Sequence, residues 1–264
     1  MKALADMKYS GRGLIVGATL DGNDFFGYTL TGRSPPSQAR DLVEGEETGT
    51  IRTDVTDREQ LEKGSPALLI YPAFTHLHHI LMGSNGAQTQ LLYSAVIRNE
   101  SDLDGLTSID LVKDAFKQPV YLYDKKDDRF VDITTYEPDA PNNTPRVSAM
   151  VMNGVAAMHI VWKGNDGRRQ SRIFDLPLMD SGEGYLLTTY QGGNESPLAP
   201  FRGEPREVEV VSTDVAGLAE EFYAAIEGGA EPGDNFRVAA AVALLNRRTG
   251  GLETAIINRS ERGE

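Results

Sequence analysis

Four segments of this chain concentrate side chains that hold anions or move protons. The first is Gly32-Arg33-Ser34-Pro35-Pro36-Ser37-Gln38-Ala39-Arg40. Two guanidinium forks and two hydroxyls around a proline-stiffened turn can converge on phosphate oxygens, although the same composition also describes a polar surface loop. The second, Ser84-Asn85-Gly86, is first of all a tight turn, since Asn and Gly both tolerate positive φ, and its amides can also face a ligand. The third runs from Tyr136 to Arg146, where Pro138, Pro141 and Pro145 stiffen the chain. Glu137 is there a candidate general base and Arg146 a candidate anion contact, against the plainer reading of a rigid connector. The fourth, Thr188 to Leu198, holds Gly192-Gly193 but no phosphate-loop or dinucleotide fingerprint, and reads as a loop.

The histidines carry less. His76 and His78 would share a strand face, which permits two metal ligands, but no carboxylate stands at a partner spacing. His76, His78 and His79 are therefore read as structural or pocket-lining, with no metal expected. His159, alone in an apolar run, is expected in the core.

The elements that must position these groups are mostly hairpins. Gly13–Gly17 and Phe25–Thr31 flank the turn Asp21-Gly22-Asn23-Asp24. Similar signals join Val120–Tyr123 to Phe130–Ile133 and Ala156–Trp162 to Arg169–Phe174. Further strands are expected at Ala67–Tyr71, ending at Pro72, and at Tyr185–Tyr190. Helices are expected over Thr89–Ile97 and Ile109–Phe116. Another is capped by Thr213-Asp214 and runs to about Ile226, and an Ala-rich one runs from Asp234-Asn235 through Leu245. Hairpins followed by helices argue for an α+β fold. No repeat or low-complexity linker interrupts residues 1–264, so one domain is expected.

Composition narrows the functions. Lys and Arg number 26 against 39 Asp and Glu, a formal charge of −13, which disfavours nucleic acid and anionic membranes as partners. Arg outnumbers Lys 18 to 8, which leaves room for a local anion pocket. The absence of cysteine excludes disulfides, thiolate metal sites and cysteine nucleophiles. No signal-type stretch opens the chain and no apolar run is long enough to span a membrane, so a cytoplasmic protein is expected.

Five motifs, in order, resemble one family. Tyr9-Ser10-Gly11-Arg12-Gly13-Leu14-Ile15-Val16-Gly17 is similar to the opening Tyr-x-Gly-Arg segment of the archaeal-type IMP cyclohydrolases. Arg33-Ser34 resembles that family's Arg-Ser turn, and Ser84-Asn85-Gly86 its Ser-Asn-Gly turn. Tyr136-Glu137 with Asn143-Thr144-Pro145-Arg146 matches its most specific segment, and Thr189-Tyr190 resembles its Thr-Tyr strand. The extra residues around 98–105 and 192–207 depart from the compact members, and the second stretch would reshape the mouth of a pocket.

The resemblance implies a four-layer αββα sandwich like that of the N-terminal-nucleophile hydrolases, without the terminal nucleophile; this chain opens Met1-Lys2. It implies closure of the second purine ring: the carboxamide nitrogen of 5-formamidoimidazole-4-carboxamide ribonucleotide attacks the formyl carbon, and water leaves to give IMP. The reaction is intramolecular, so the enzyme must freeze one rotamer, move protons and stabilise charge on the formyl oxygen. No cofactor is implied. Glu137 is the expected proton-transfer carboxylate, and Tyr71 the expected donor to the formyl oxygen. Arg12, Arg33, Ser34 and Arg146 are expected on the phosphate or carboxamide oxygens, and Asn85, Gly86, Asn143 and Thr144 on base or ribose, with Tyr190 lining the site. A homo-oligomer is also implied. Two alternatives stay open: a purine-nucleotide-binding protein without catalysis, and an amidohydrolase, which would need a processed terminal nucleophile.

Overall fold

The computed structural model describes residues 1–57, 59, 69–125, 127–177, 182–228 and 235–263. The chain is mixed α+β, with antiparallel sheets and few helices. Six strands form one sheet: β1 (Arg12–Ala18), β2 (Asp24–Thr31), β12 (Glu183–Thr188), β13 (Arg206–Glu209), β14 (Arg237–Leu245) and β15 (Leu252–Asn258), in the order β13-β12-β1-β2-β14-β15. Seven form another: β3 (Arg40–Glu44), β4 (Ile51–Val55), β5 (Pro72–Leu77), β6 (Ile80–Ser84), β9 (Arg146–Met152), β10 (Val155–Lys163) and β11 (Arg169–Leu176), in the order β11-β10-β9-β6-β5-β4-β3. Strands β7 (Tyr121–Asp124) and β8 (Arg129–Asp132) pair with each other in a separate two-stranded sheet.

Three buried clusters follow from strand alternation. Leu14, Val16, Phe26, Tyr28 and Leu30 of the first sheet pack with Phe74, Leu81, Val147, Val151 and Met158 of the second. On its other face the first sheet buries Ile15, Phe25, Ala240 and Val242 against Leu218 and Phe222 of the helix Val215–Ala225. The second sheet likewise buries Met82 and Met150 against Leu92 and Val96 of the helix Gln88–Arg98 and Leu111 and Val112 of the helix Ser108–Ala115. Each sheet is thus apolar on both faces.

That double burial explains the main correction. The segment expected as a helix through Leu245 is strand β14; its proposed cap, Asp234, lies outside the described residues. Strand β14 pairs with β2 on one side and β15 on the other. Ala239, Ala241 and Ala243 face the second sheet, whereas Ala240, Val242 and Leu244 face the helix Val215–Ala225. With both faces apolar the period of two disappears from the sequence, and tertiary pairing overrides alanine's helix propensity.

Two smaller expectations also shift. Residues 67 and 68 lie outside the described residues, and strand β5 begins at Pro72, where the expected strand was to stop. His76 lies in β5, but His78 sits in the following turn at φ 55°, so the two do not share a strand face. The other hairpins and three helices fall where the sequence places them. The helix Val215–Ala225 starts at Asp214, whose side chain accepts the amide of Gly217. No helix among the described residues is long and apolar enough to cross a membrane.

Candidate active site

The polar groups gather at one end of the space between the two large sheets, where β1 and β9 begin, β12 has just ended and Tyr71 leads into β5. Arg12 opens β1. Its amide donates to Thr189 Oγ1 at 3.1 Å, and Gly11 just before it has φ 74°. A Cβ on Gly11 would lie 2.1 Å from Thr189 Oγ1, so only glycine lets these two chains close here. Arg12 Nη2 donates to Glu137 Oε1 at 2.5 Å, with both side chains almost entirely buried. Burial works against the charge on Arg12, but Glu137 beside it, helped by Tyr71, Tyr190 and Tyr28, outweighs that and holds its pKa well above the ordinary value.

Glu137 is fixed by a local loop. Its amide donates to the Thr144 carbonyl at 2.8 Å, and Asp139 accepts from both the Thr144 amide at 2.7 Å and the Thr144 hydroxyl at 2.5 Å. Thr144 Oγ1 also lies 2.5 Å from the Tyr190 hydroxyl. The threonine has one hydroxyl proton and gives it to Asp139, so Tyr190 is the donor in its own bond. Burial, then the neighbouring Glu137, push the Asp139 carboxyl up from its ordinary range, and burial raises Tyr190 too. The Tyr71 hydroxyl lies 2.9 Å from that of Tyr28, whose pKa is raised by burial and by Tyr71.

Arg146, at the start of β9, is buried, and desolvation lowers its pKa against the opposing pull of Glu137. Its Nε has no hydrogen-bond partner among the described residues. Asn85 is committed to backbone: its Nδ2 donates to Pro145 O at 2.8 Å and its Oδ1 accepts the Val147 amide at 2.9 Å. It therefore positions Arg146 between those two residues rather than presenting a free amide. Asn143, at φ 46°, donates to Pro141 O at 3.0 Å and shapes the same loop.

The Arg-Ser turn lies further out. Arg33 Nη1 donates to Glu195 O at 2.9 Å and Asn194 Oδ1 at 3.3 Å, and its guanidinium lies 5.7 Å from the Tyr9 ring centre. Tyr9 in turn stacks on Tyr190 at 5.7 Å. Ser34 Oγ and Ser37 Oγ are 2.5 Å apart, so the two hydroxyls meet each other rather than an arginine fork. The loop after Gly192 packs onto the site's supports: the Leu198 amide donates to Asn142 Oδ1 at 3.2 Å, and Leu198 joins Tyr9 and Tyr190 in a small cluster.

Glu137, Tyr71, Arg12, Thr144, Arg146 and Tyr190 thus converge, while Arg33 stands further out against Tyr9 and Ser34 meets Ser37. Sequence reasoning missed Tyr28 and Asp139. Tyr28 reads as one more apolar strand residue; Asp139 lies inside the Tyr136–Arg146 segment, and that position was the available signal. Among the described residues no group of three or more His, Asp or Glu side chains could hold a metal ion. His78 pairs with Glu100 at 3.1 Å, and His159 is buried as expected.

A buried ion pair, a tyrosine pair and a directed hydroxyl chain thus lie together at one end of the space between the sheets, an arrangement whose chemistry suits holding a polar ligand and moving protons. The family model of IMP cyclohydrolase-like proteins matches residues 9–120 and 127–246. The chain belongs to that family. No curated protein matches it.

Proposed function

We propose that this protein is an IMP cyclohydrolase, closing the second ring of 5-formamidoimidazole-4-carboxamide ribonucleotide to give IMP in the last step of purine nucleotide synthesis. The observation that carries the reading is the buried Arg12–Glu137 pair beside the Tyr28–Tyr71 hydroxyls, in a chain of this family. The carboxamide nitrogen bonds to the formyl carbon, and the formyl oxygen leaves as water with one hydrogen from the carboxamide nitrogen and one from the formamide nitrogen. Glu137 takes the proton from the attacking nitrogen, and Arg12 holds its carboxylate in place. Tyr71, steadied by Tyr28, donates to the formyl oxygen as charge develops there.

Because Tyr190 gives its proton to Thr144, its oxygen is free to accept from a substrate N–H. Arg146 and Arg33 supply positive charge for the ligand's anionic oxygens, and Ser34, Gly86 and Asn143 line the approach. This reading takes residues 1–264 as one domain with the αββα layering of N-terminal-nucleophile hydrolases. It needs no metal, cofactor or covalent intermediate, and includes a cytoplasmic, homo-oligomeric protein.

The test is to incubate the protein with the formylated ribonucleotide and follow the ultraviolet change as IMP forms. Wild-type protein should act well above background, and Glu137→Gln should lower kcat by roughly 10²–10⁴-fold. IMP binding without ring closure by folded wild-type protein would replace this reading with a non-catalytic nucleotide-binding protein.

A further inference from the structure

Asp139, Thr144 and Tyr190 stand in a line whose direction is set at one end. Asp139 Oδ1 accepts the Thr144 amide at 2.7 Å, and its Oδ2 accepts the Thr144 hydroxyl at 2.5 Å. The Thr144 hydroxyl oxygen lies 2.5 Å from that of Tyr190. Tyr190 is itself held in place: its amide donates to Ser10 O at 3.3 Å, and its ring stacks on Tyr9 at 5.7 Å. An ionised carboxylate only accepts, and each hydroxyl has one proton to give. The charge on Asp139 therefore decides, two hydrogen bonds away, that the Tyr190 oxygen meets a ligand as an acceptor. A proton on Asp139 would turn the line round: Asp139 would donate to Thr144, Thr144 to Tyr190, and Tyr190 would offer its own proton to the ligand.

The charged groups around Asp139 are Glu137 on its own loop, Arg12 of β1 and Arg146 of β9. Arg12 is taken up by Glu137, so the partners of Asp139 among the described residues are the amide and hydroxyl of Thr144. The nitrogen that closes the ring is a primary amide with two hydrogens. One leaves for Glu137, and the other stays as the ring N–H of IMP. A fixed acceptor for the hydrogen that stays would hold the amide in the rotamer that attacks.

We propose that Asp139 is a positioning residue: acting through Thr144, it keeps the Tyr190 oxygen as the acceptor for the N–H that the substrate's carboxamide nitrogen retains. The assignment rests on the nucleotide reading above, but its test does not require ring closure.

Asp139→Asn tests it with little change of shape. The new Oδ1 can still accept the Thr144 amide, which leaves Nδ2 to donate to the Thr144 hydroxyl, so the loop keeps both bonds while the line runs backwards. Two nucleotides read its direction by calorimetric binding to the full chain: IMP, with an N–H in the six-membered ring, and purine riboside 5′-monophosphate, with a bare acceptor nitrogen at that place. Wild-type protein should favour IMP, and Asp139→Asn should cut that preference about tenfold, because a buried donor would then face a donor. Thr144→Val deletes the middle hydroxyl and should lower the preference too, since Tyr190 can then turn either way, whereas Thr144→Ser should keep it. In a Tyr190→Phe background, Asp139→Asn should change the preference no further. Equal weakening of both nucleotides would make Asp139 a loop support and overturn the proposal, as would a preference that survives Asp139→Asn or a shift that persists without the Tyr190 hydroxyl. If Asp139→Asn does not fold, the two Thr144 variants decide by themselves: the same preference in both overturns it. The expected shifts in a protein that closes no ring would sink the cyclohydrolase reading and keep this role for Asp139. Ring closure by wild-type protein whose preference ignores Asp139 would do the reverse, and wild-type protein that binds neither nucleotide would sink both.

Discussion

Two of the places where this molecule buries ionisable groups reach opposite charge states. At the start of β1, Arg12 stays charged because Glu137 lies 2.5 Å away. Under the helix Ser108–Ala115, His159 packs against Phe116 at 4.2 Å, and its pKa is pushed down to about 3, by burial first and then by Arg169. Burial alone favours the neutral form; only a partner of opposite sign reverses that. The histidine is therefore part of a core, in effect a polar ring used as packing. The arginine and glutamate are a standing cost to the fold, which is consistent with the role proposed for them.

The contrast breaks most sharply at the ion pair. Glu137→Leu leaves Arg12 buried without its acceptor and should destabilise the protein by roughly 3–5 kcal/mol, read by urea unfolding. The double variant Arg12→Met with Glu137→Leu should recover much of that loss while staying inactive. A double variant no more stable than the single one would mean that the pair is not coupled as drawn.

The histidine gives the next largest effect, and its sign is set by linkage. The folded-state pKa of about 3 lies below the ordinary 6.5, so between these values the unfolded chain binds a proton that the folded chain does not. His159 therefore weakens the fold progressively as pH falls from 6.5 towards 3, by about 2 kcal/mol at pH 5, and costs nothing above 6.5. Unfolding of wild type and His159→Gln measured at pH 7.5 and pH 5 should show the gap between them shift in favour of the variant at the lower pH. A pH-independent gap would show that His159 is not held neutral.

The smallest effect is expected at the tyrosine pair. Tyr28→Phe removes one buried hydroxyl contact and should cost about 1 kcal/mol of stability. Its sharper consequence is on Tyr71, which loses its 2.9 Å partner. On the mechanism proposed, in which Tyr71 acts in the transition state, kcat for ring closure should fall while KM changes little. A change confined to KM would assign the pair to binding.

Much of the fold was legible in residue order. The turn Asp21-Gly22-Asn23-Asp24 sits between β1 and β2, and Asp214 caps its helix, because turn chemistry and caps are local. The Ala-rich segment Arg237–Leu245 was not legible. Its burial on both faces erases the alternation that would have marked a strand. The site was half legible: Glu137, Thr144 and Arg146 share one stiff segment, and Arg12, Tyr71 and Tyr190 stand in or beside motifs. Tyr28 carried no such mark, since a tyrosine in an apolar strand has an ordinary local explanation.

By itself, the sequence determined the hairpin order, the absence of thiol chemistry and the family, all of which follow from residue types at short spacing. Tertiary structure decided which charges meet and which are silenced. Arg12 and Glu137 stand 125 positions apart, and so do no more than share a composition until two sheets stack. Whether a buried group keeps its charge depends on the neighbour brought within a few ångströms of it, and strand register sets that distance rather than the chain.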